Sequence, residues 1–268
     1  MKISFSTLGC PRWSWKEIVS TAKDLGYQGV EVRGVGKDIS VPSVPAFSDS
    51  NIAKTKENLQ DLALSIPCLD SDCLIYLPHE QEKTFQEVQA YVSLAKKLSV
   101  SYVRVFAAPA VPEPAGEIDD AFVRDHTRQL ADMAKEQGIT LLLETHGVWC
   151  DSARLARLLT AIDKENVGIL WDIHHPFRYL HESAEKTFHN IAPWLKHTHI
   201  KDSILQNGKV RYVPCGQGDL PLEEIFTLLQ KNDYQGFYSL EWVKRWDTSL
   251  EEPGIIFAHY ANYMSRFA

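Results

Sequence analysis

The chain has 268 residues and a formal net charge of −7, with 44% hydrophobic, 24% charged and 10% aromatic residues. That length supports one large domain whose core closes without disulfide or metal staples. The acidic balance argues against a nucleic-acid groove, which rests on clustered Lys and Arg, and no apolar run approaches the roughly 20 residues of a membrane span.

A strand is predicted over 3–7 and a helix over 15–25, then a strand over 30–33 and, past Pro42 and Pro45, a helix over 52–64. The third strand, 65–69, leads to a helix over 85–98, where Phe85, Val88, Val92, Ala95 and Leu98 recur every three or four residues as one helical face. A strand over 102–106, a loop with Pro109, Pro112 and Pro114, and a helix over 122–137 follow. The pattern continues with strands 140–144, 168–172, 196–200 and 237–241 and helices 154–162, 184–194 and 222–231. Alternation of strand and helix repeated eight times predicts a parallel sheet with crossover helices. Eight such units fit a single-domain (β/α)8 TIM barrel, typically about 250 residues, spanning 1–268.

Two short turns repeat, Tyr27-Gln28-Gly29 before the second strand and Tyr234-Gln235-Gly236 before the eighth, which predicts one shared helix-to-strand geometry. Strand-to-helix loops are the long ones, and 202–221, with its Asn207-Gly208 turn, reads as an inserted hairpin. Long loops at the C-terminal strand ends are where a barrel places its active site.

Five cysteines, Cys10, Cys68, Cys73, Cys150 and Cys215, include no C-x-x-C pair, so neither a disulfide framework nor a zinc ribbon is expected. The first seven residues alternate as a strand and lack a signal peptide's apolar core, so a cytoplasmic protein in a reducing compartment is expected. Cys10 and Cys150 have no neighbouring positive charge that would make a reactive thiolate. Gly34-Val35-Gly36 and Gly216-Gln217-Gly218 match no phosphate cradle, and the second reads as the turn that returns the hairpin to its helix.

Four consecutive strands of the second half end in ionisable residues: Glu144, Asp172, the His197-Thr198-His199-Ile200-Lys201-Asp202 run, and Glu241. Each alone reads as well as a helix cap or a surface ion pair. Three carboxylates beside a histidine at successive strand ends do not, because a buried carboxylate costs several kcal/mol unless paired or metal-bound. One divalent cation resolves the charge, and the donor set suits Mn, Mg, Co or Zn.

The motifs L-E-T-H at 143–146, W-D-I-H-H at 171–175, H-T-H-I-K-D at 197–202 and S-L-E-W at 239–242 resemble the sugar isomerase/epimerase superfamily with xylose isomerase-like barrels. That group includes ketose 3-epimerases, hydroxypyruvate isomerases, inosose dehydratases and, more distantly, endonuclease IV. The resemblance implies that Glu144, Asp172, His199 and Glu241 ligate the metal, that Glu144 and Glu241 act as general acid and base, and that His175 contacts a substrate hydroxyl. Leu205 stands where the 3-epimerases place an arginine six residues after the histidine ligand. The Lys201-Asp202 pair instead resembles the inosose dehydratase and sugar phosphate isomerase-like branches.

The expected reaction removes a proton next to a carbonyl and returns it at another atom or face, through an enediolate steadied by the cation. A small sugar, polyol ketone or sugar phosphate is the expected substrate. A lyase of the inosose or dehydroshikimate dehydratase kind uses the same enolate and is the alternative. An endonuclease IV-like nuclease ranks below both, since the third and fourth strands end without the additional histidines that its three zinc ions need. His146, Lys201, Arg33 and Trp149 are further candidates for substrate contact. Lys201 reads equally as a salt-bridge partner and His146 equally as a surface-loop histidine. Arg104 and Glu31 read as interior ion-pair members, His197 as a buried support, and His174 as facing the helices. Trp13, Trp15, Trp149, Trp171, Trp242 and Trp246 fall near strand-to-helix connections, where aromatic faces wall a small substrate. Exposed barrel helices offer faces for pairing, so a homo-oligomer is an open expectation.

Overall fold

The computed structural model describes residues 1–109 and 111–267. In chain order the elements are β1 (Lys2–Ser6), α1 (Trp15–Asp24), β2 (Gly29–Glu31), α2 (Ile52–Asp61), β3 (Leu69–Leu74), α3 (Gln81–Leu98), β4 (Tyr102–Phe106), α4 (Asp120–Lys135), β5 (Thr140–Glu144) and α5 (Ser152–Ile162). They continue with β6 (Val167–Asp172), α6 (His174–Leu180), α7 (Ala184–Ile191), β7 (Leu195–Ile200), β8 (Asp202–Gln206), β9 (Lys209–Val213), α8 (Leu222–Lys231), β10 (Phe237–Leu240) and α9 (Pro253–Met264). Eight strands form one sheet in the order β2-β1-β10-β7-β6-β5-β4-β3, and β8 and β9 pair with each other. Parallel registers join β1 to β2 and β10, β10 to β7, and β3 through β6 in sequence. This is the (β/α)8 arrangement that the alternation predicted. Among the described residues no helix is long and apolar enough to cross a membrane.

Helices end on strands by one repeated device. After α1, α2, α3, α4 and α8 a residue takes positive φ (Gly26, Ala63, Ser99, Gly138 and Asp233). The next N–H then returns to the carbonyl five residues back: Tyr27 to Ala22, Leu64 to Leu59, Val100 to Ala95, Ile139 to Ala134 and Tyr234 to Leu229. This is the Schellman closure, with an apolar residue following the left-handed one. The two Y-Q-G turns are two instances of it.

Two compact units can be described. One comprises Met1–Ile39, Ser43–Pro67 and Thr198–Ala268; the other comprises Ser40–Pro42 and Cys68–His197. In the first, Phe5 of β1 stacks on Phe257 of α9 with ring centroids 4.0 Å apart and meets Tyr27 edge-on at 4.9 Å. The Tyr27 hydroxyl donates to the Phe257 carbonyl at 2.7 Å, tying α9 to the strand layer. In the second unit Val103, Leu141, Leu142, Leu143, Ile169 and Leu170 are wholly buried. Gly168 faces Leu142 in register, and a Cβ there would lie 2.6 Å from Lys196 Cγ, so only glycine allows the strands this approach.

The structure departs from the sequence reading in several places. The third strand is Leu69–Leu74, not 65–69. Pro67 lacks the N–H that a strand ladder needs, and Ser65 keeps only an isolated parallel bridge to Gly29. The real strand contains Asp70, Ser71 and Asp72, which masked it. Residues 184–194 divide into α7 and a 3-10 turn, Ala192–Trp194, at Pro193. The sequence reading did not include α6 or α9. The first is two turns long, and the second is apolar on several faces and so lacks a clean amphipathic stripe.

The predicted hairpin is present. Asn207 and Gly208 both take positive φ, as a two-residue I′ turn requires. Its base is closed by Asp202, whose Oδ2 accepts from the Gly216 and Gly218 N–H groups at 2.9 Å each and whose Oδ1 accepts from Ser203 at 2.9 Å and Leu220 at 3.3 Å. Burial raises the Asp202 carboxyl above its ordinary range, against the pull of these four donors. A Cβ at Gly218 would lie 2.0 Å from Asp202 Oδ1. Asp202→Ala is expected to cost about 2–3 kcal/mol of stability in urea denaturation, because buried donors lose their acceptor. Gly218→Ala is expected to cost about 1–3 kcal/mol. Since both break the same clamp, the double variant should lose clearly less than the sum; strict additivity would mean the clamp does not act as a unit.

Candidate active site

In the second unit the site residues follow from where β3 to β6 end. Glu144 is the last residue of β5 and Asp172 the last of β6, with Glu144 opposite Leu170 in register. Apolar residues precede both, so each carboxylate is delivered to the strand end inside a buried layer. Thr145 locks the two ends together, its N–H donating to the Leu170 carbonyl at 3.1 Å and its hydroxyl to the Asp172 carbonyl at 3.0 Å. Asp172 Oδ1 accepts the His174 N–H at 2.9 Å, capping α6. Its Oδ2 lies 3.5 Å from His175 Nε2.

His175 Nδ1 lies 3.1 Å from the Thr145 carbonyl, which can only accept, so Nδ1 carries the hydrogen. Nε2 is then the nitrogen turned toward Asp172. His146 is buried, its ring 5.1 Å from that of His175 and 5.1 Å from Phe106. The surface-loop alternative for His146 therefore falls, because the Gly147–Cys150 turn folds the residue inward. His174 is wholly buried, with its ring against those of His175 and Tyr179. Trp149 is buried, donates its indole N–H to the Ala107 carbonyl at 2.8 Å, and carries the Arg154 guanidinium 5.0 Å from its ring.

Arg104 is 2% exposed and occupies the middle of this group. Its Nε lies 3.5 Å from Glu144 Oε2 and 3.7 Å from Asp70 Oδ1, Nη1 donates to the Ser71 carbonyl at 2.9 Å, and its plane sits 4.0 Å from the Phe106 centroid. The interior ion-pair reading of Arg104 is what the structure shows, with Asp70 and Glu144 as carboxylates. Asp70 lies inside β3, not past its end, because the strand begins four residues later than the sequence reading placed it.

In the first unit β2, β7 and β10 bring a second group together. His199 is paired in register with Ser239 of β10, and Glu241 follows that strand with its N–H donating to Ile200. Lys201, 2% exposed, forms a short ion pair with Glu241 Oε2. The salt-bridge reading of Lys201 is thus realised. His199 Nδ1 lies 3.4 Å from Glu241 Oε1, and Nε2 lies 2.6 Å from Glu31 Oε1. The interior ion-pair reading of Glu31 is thus realised, with His199 as its partner. Arg33 lies beyond that strand, buried, with Nη1 3.5 Å from the Ile39 carbonyl and its guanidinium 5.9 Å from the exposed Trp246 ring. Thr7 fixes the backbone there, its hydroxyl accepting from Arg33 N at 2.8 Å and donating to Gly34 O at 2.6 Å. Leu205 is exposed on the hairpin strand β8.

All five cysteines are buried and none is in a disulfide among the described residues. Burial pushes the Cys10 thiol far above its ordinary value and the Cys73 thiol up to about 12, which removes both as thiolate nucleophiles.

Arg104→Met is expected to destabilise the fold by about 3–5 kcal/mol, since it leaves Asp70 and Glu144 buried without the guanidinium between them. Urea denaturation at neutral pH reads this. A loss below ~1 kcal/mol would mean that the guanidinium is not the balancing charge.

Comparison with known proteins bears on the whole length. A fructoselysine 3-epimerase of Shigella flexneri is 21% identical over 252 residues, spanning 91% of this chain and 90% of that protein. The crystal structure of the probable 3-DHS dehydratase AsbF from Bacillus anthracis superposes with a TM-score of 0.81 at 20% identity, covering 99% of both chains. A Mycobacterium smegmatis protein described as a xylose isomerase-like TIM barrel, in complex with magnesium, superposes with a TM-score of 0.76 at 17% identity, over 99% of this chain and 95% of that one. The family model described as xylose isomerase-like TIM barrel matches residues 19–257, and the chain belongs to that family.

Proposed function

We propose that Glu144, Asp172, His199 and Glu241 hold one divalent cation, and that the protein isomerises or epimerises a small sugar, polyol ketone or sugar phosphate. The observations that carry this reading lie within each unit: the buried carboxylates Glu144 and Asp172 end the neighbouring strands β5 and β6, and buried His199 has Nδ1 3.4 Å from Glu241 Oε1. The donor set fits a cation: three carboxylates and one imidazole nitrogen suit Mn, Co, Mg or Zn, and the magnesium bound by the Mycobacterium smegmatis protein agrees with it. When bound, the cation supplies the Lewis acidity that steadies the oxyanion of an enediolate.

The protein's own groups supply the proton transfers. Glu144 and Glu241 take and return the proton, each oriented by a cationic partner, Arg104 for the first and Lys201 for the second. His175, its Nδ1–H tied to Thr145, presents Nε2 to a substrate hydroxyl, and His146 beside it reads the next oxygen. Arg33, two residues past β2, binds an anionic substrate group, and Trp149, in the turn after His146, walls the substrate. Five buried cysteines outside any disulfide suit a cytoplasmic enzyme of carbohydrate metabolism.

A lyase reading is favoured by the likeness in fold to the Bacillus anthracis dehydratase and by Leu205 in place of the epimerases' arginine. One experiment separates the two. The protein, reconstituted with Mn, Co, Mg or Zn, is incubated in deuterium oxide with ketoses, inososes and their phosphates, and products are followed by mass. Gain of one deuterium without loss of water supports the isomerase or epimerase, and loss of water supports the lyase. Absence of both across the panel overturns the enolisation reading. Glu144→Gln and Glu241→Gln are expected to slow exchange about 10²–10⁴-fold with unchanged circular dichroism. Asp172→Asn should lower bound metal below one equivalent, and full stoichiometry in that variant would refute the ligand set. Chelation should stop turnover without unfolding, because the core is built from strands and helices.

A further inference from the structure

The inference concerns Glu31, which lies outside the four proposed ligands. Glu31 and His199 are both fully buried. They stand on β2 and β7, which are separated in the sheet by β1 and β10. Their side chains therefore meet through the interior rather than along a ladder. Small residues leave that space open: Ser4 is in register with Ser239, Ser239 with His199, and Ser6 with Glu31. A larger side chain at Ser4 or Ser239 would fill the gap that Glu31 and His199 close with a 2.6 Å contact.

The chemistry of that contact is specific. A carboxylate accepts, so His199 Nε2 carries the hydrogen, and Nδ1, 3.4 Å from Glu241 Oε1, is left with its lone pair on the side of the proposed ligands. Imidazole ligands to metals characteristically donate their far N–H to a carboxylate, which fixes the tautomer, aims the ring and strengthens the nitrogen as a donor. A second cation between Glu31 and His199 is disfavoured, because their contact is already a short hydrogen bond. We infer that Glu31 is a positioning residue that holds His199 as the Nδ1-coordinating tautomer. The inference rests on the proposed metal site and assigns Glu31 no contact with substrate.

The test compares Glu31→Gln, Glu31→Asp and His199→Ala with the unaltered protein, using cobalt(II) and zinc affinity by chelator competition, the cobalt(II) ligand-field spectrum, and circular dichroism. Glu31→Gln should stay folded, bind about 10–100-fold more weakly and show a changed cobalt spectrum. Glu31→Asp, which keeps the charge on a shorter arm, should recover part of the loss. A merely structural role would lower stability but leave the spectrum of the folded, loaded protein unchanged. Glu31→Gln with affinity within twofold and an unchanged spectrum overturns the inference while His199→Ala still loses metal. Full metal binding by His199→Ala overturns the ligand assignment, and this inference with it. Two equivalents in the unaltered protein, one lost in Glu31→Gln, would make Glu31 a ligand and also overturn the inference. If the Glu31 variants do not fold, nitrogen NMR of metal-free unaltered protein decides: His199 protonated on Nε2 supports the inference, and on Nδ1 overturns it.

Discussion

A carboxylate stays in a protein interior only where opposite charge or strong donors replace the water it has lost. That requirement organises this molecule. In one unit Asp70 and Glu144 share Arg104, and Asp172 meets a backbone N–H and an imidazole. In the other, Glu241 is met by Lys201 and His199, Glu31 by His199, and Asp202 by four backbone N–H groups. The structural carboxylate Asp202 differs in its partners from the carboxylates proposed to do chemistry. Asp202 is held by backbone donors that cannot leave, whereas Glu144 and Glu241 are held by side chains, which can adjust as a proton or a cation arrives. The carboxylates proposed to react thereby sit at strand ends without being frozen.

The same division separates the two ends of each repeat. Helices are returned to strands by a single closure with a fixed hydrogen bond, five times over. Strands are joined to the next helices by loops of varied length, some folded into 3-10 turns such as Gly147–Cys150. The first arrangement spaces the strands; the second carries His146 and Trp149 and follows Arg33. The strand-spacing closures and the proposed substrate contacts thus lie in different connections of one scaffold.

The repeat was legible because β-branched runs and helical faces alternate cleanly from 102 to 172, where predicted and observed strands agree to within a residue. It was least legible at β3, where Asp70, Ser71 and Asp72 look like a loop until Arg104 is seen to form an ion pair with Asp70. The four strand-end residues proposed as ligands were legible only as a set, because each alone, after its apolar run, reads equally well as a cap or an ion-pair member. Glu31 was legible as an interior ion-pair member, but its partner, 168 residues away and reached through the interior, was not. His146 was undecided for the opposite reason: its burial depends on a tight turn with Gly147 at positive φ, which spacing alone does not reveal.

The Asp202 clamp has a consequence for how such a protein diversifies. Lys201, set against Glu241, is followed at once by Asp202, and the hairpin then extends to the exposed Leu205 and the Asn207-Gly208 turn. Because the clamp closes the hairpin at its root, the lysine sits on the anchored side and the tip on the free side. Inheritance can therefore rewrite the tip, in length or in side chains, as an independent module, while the lysine and its glutamate are passed on in place.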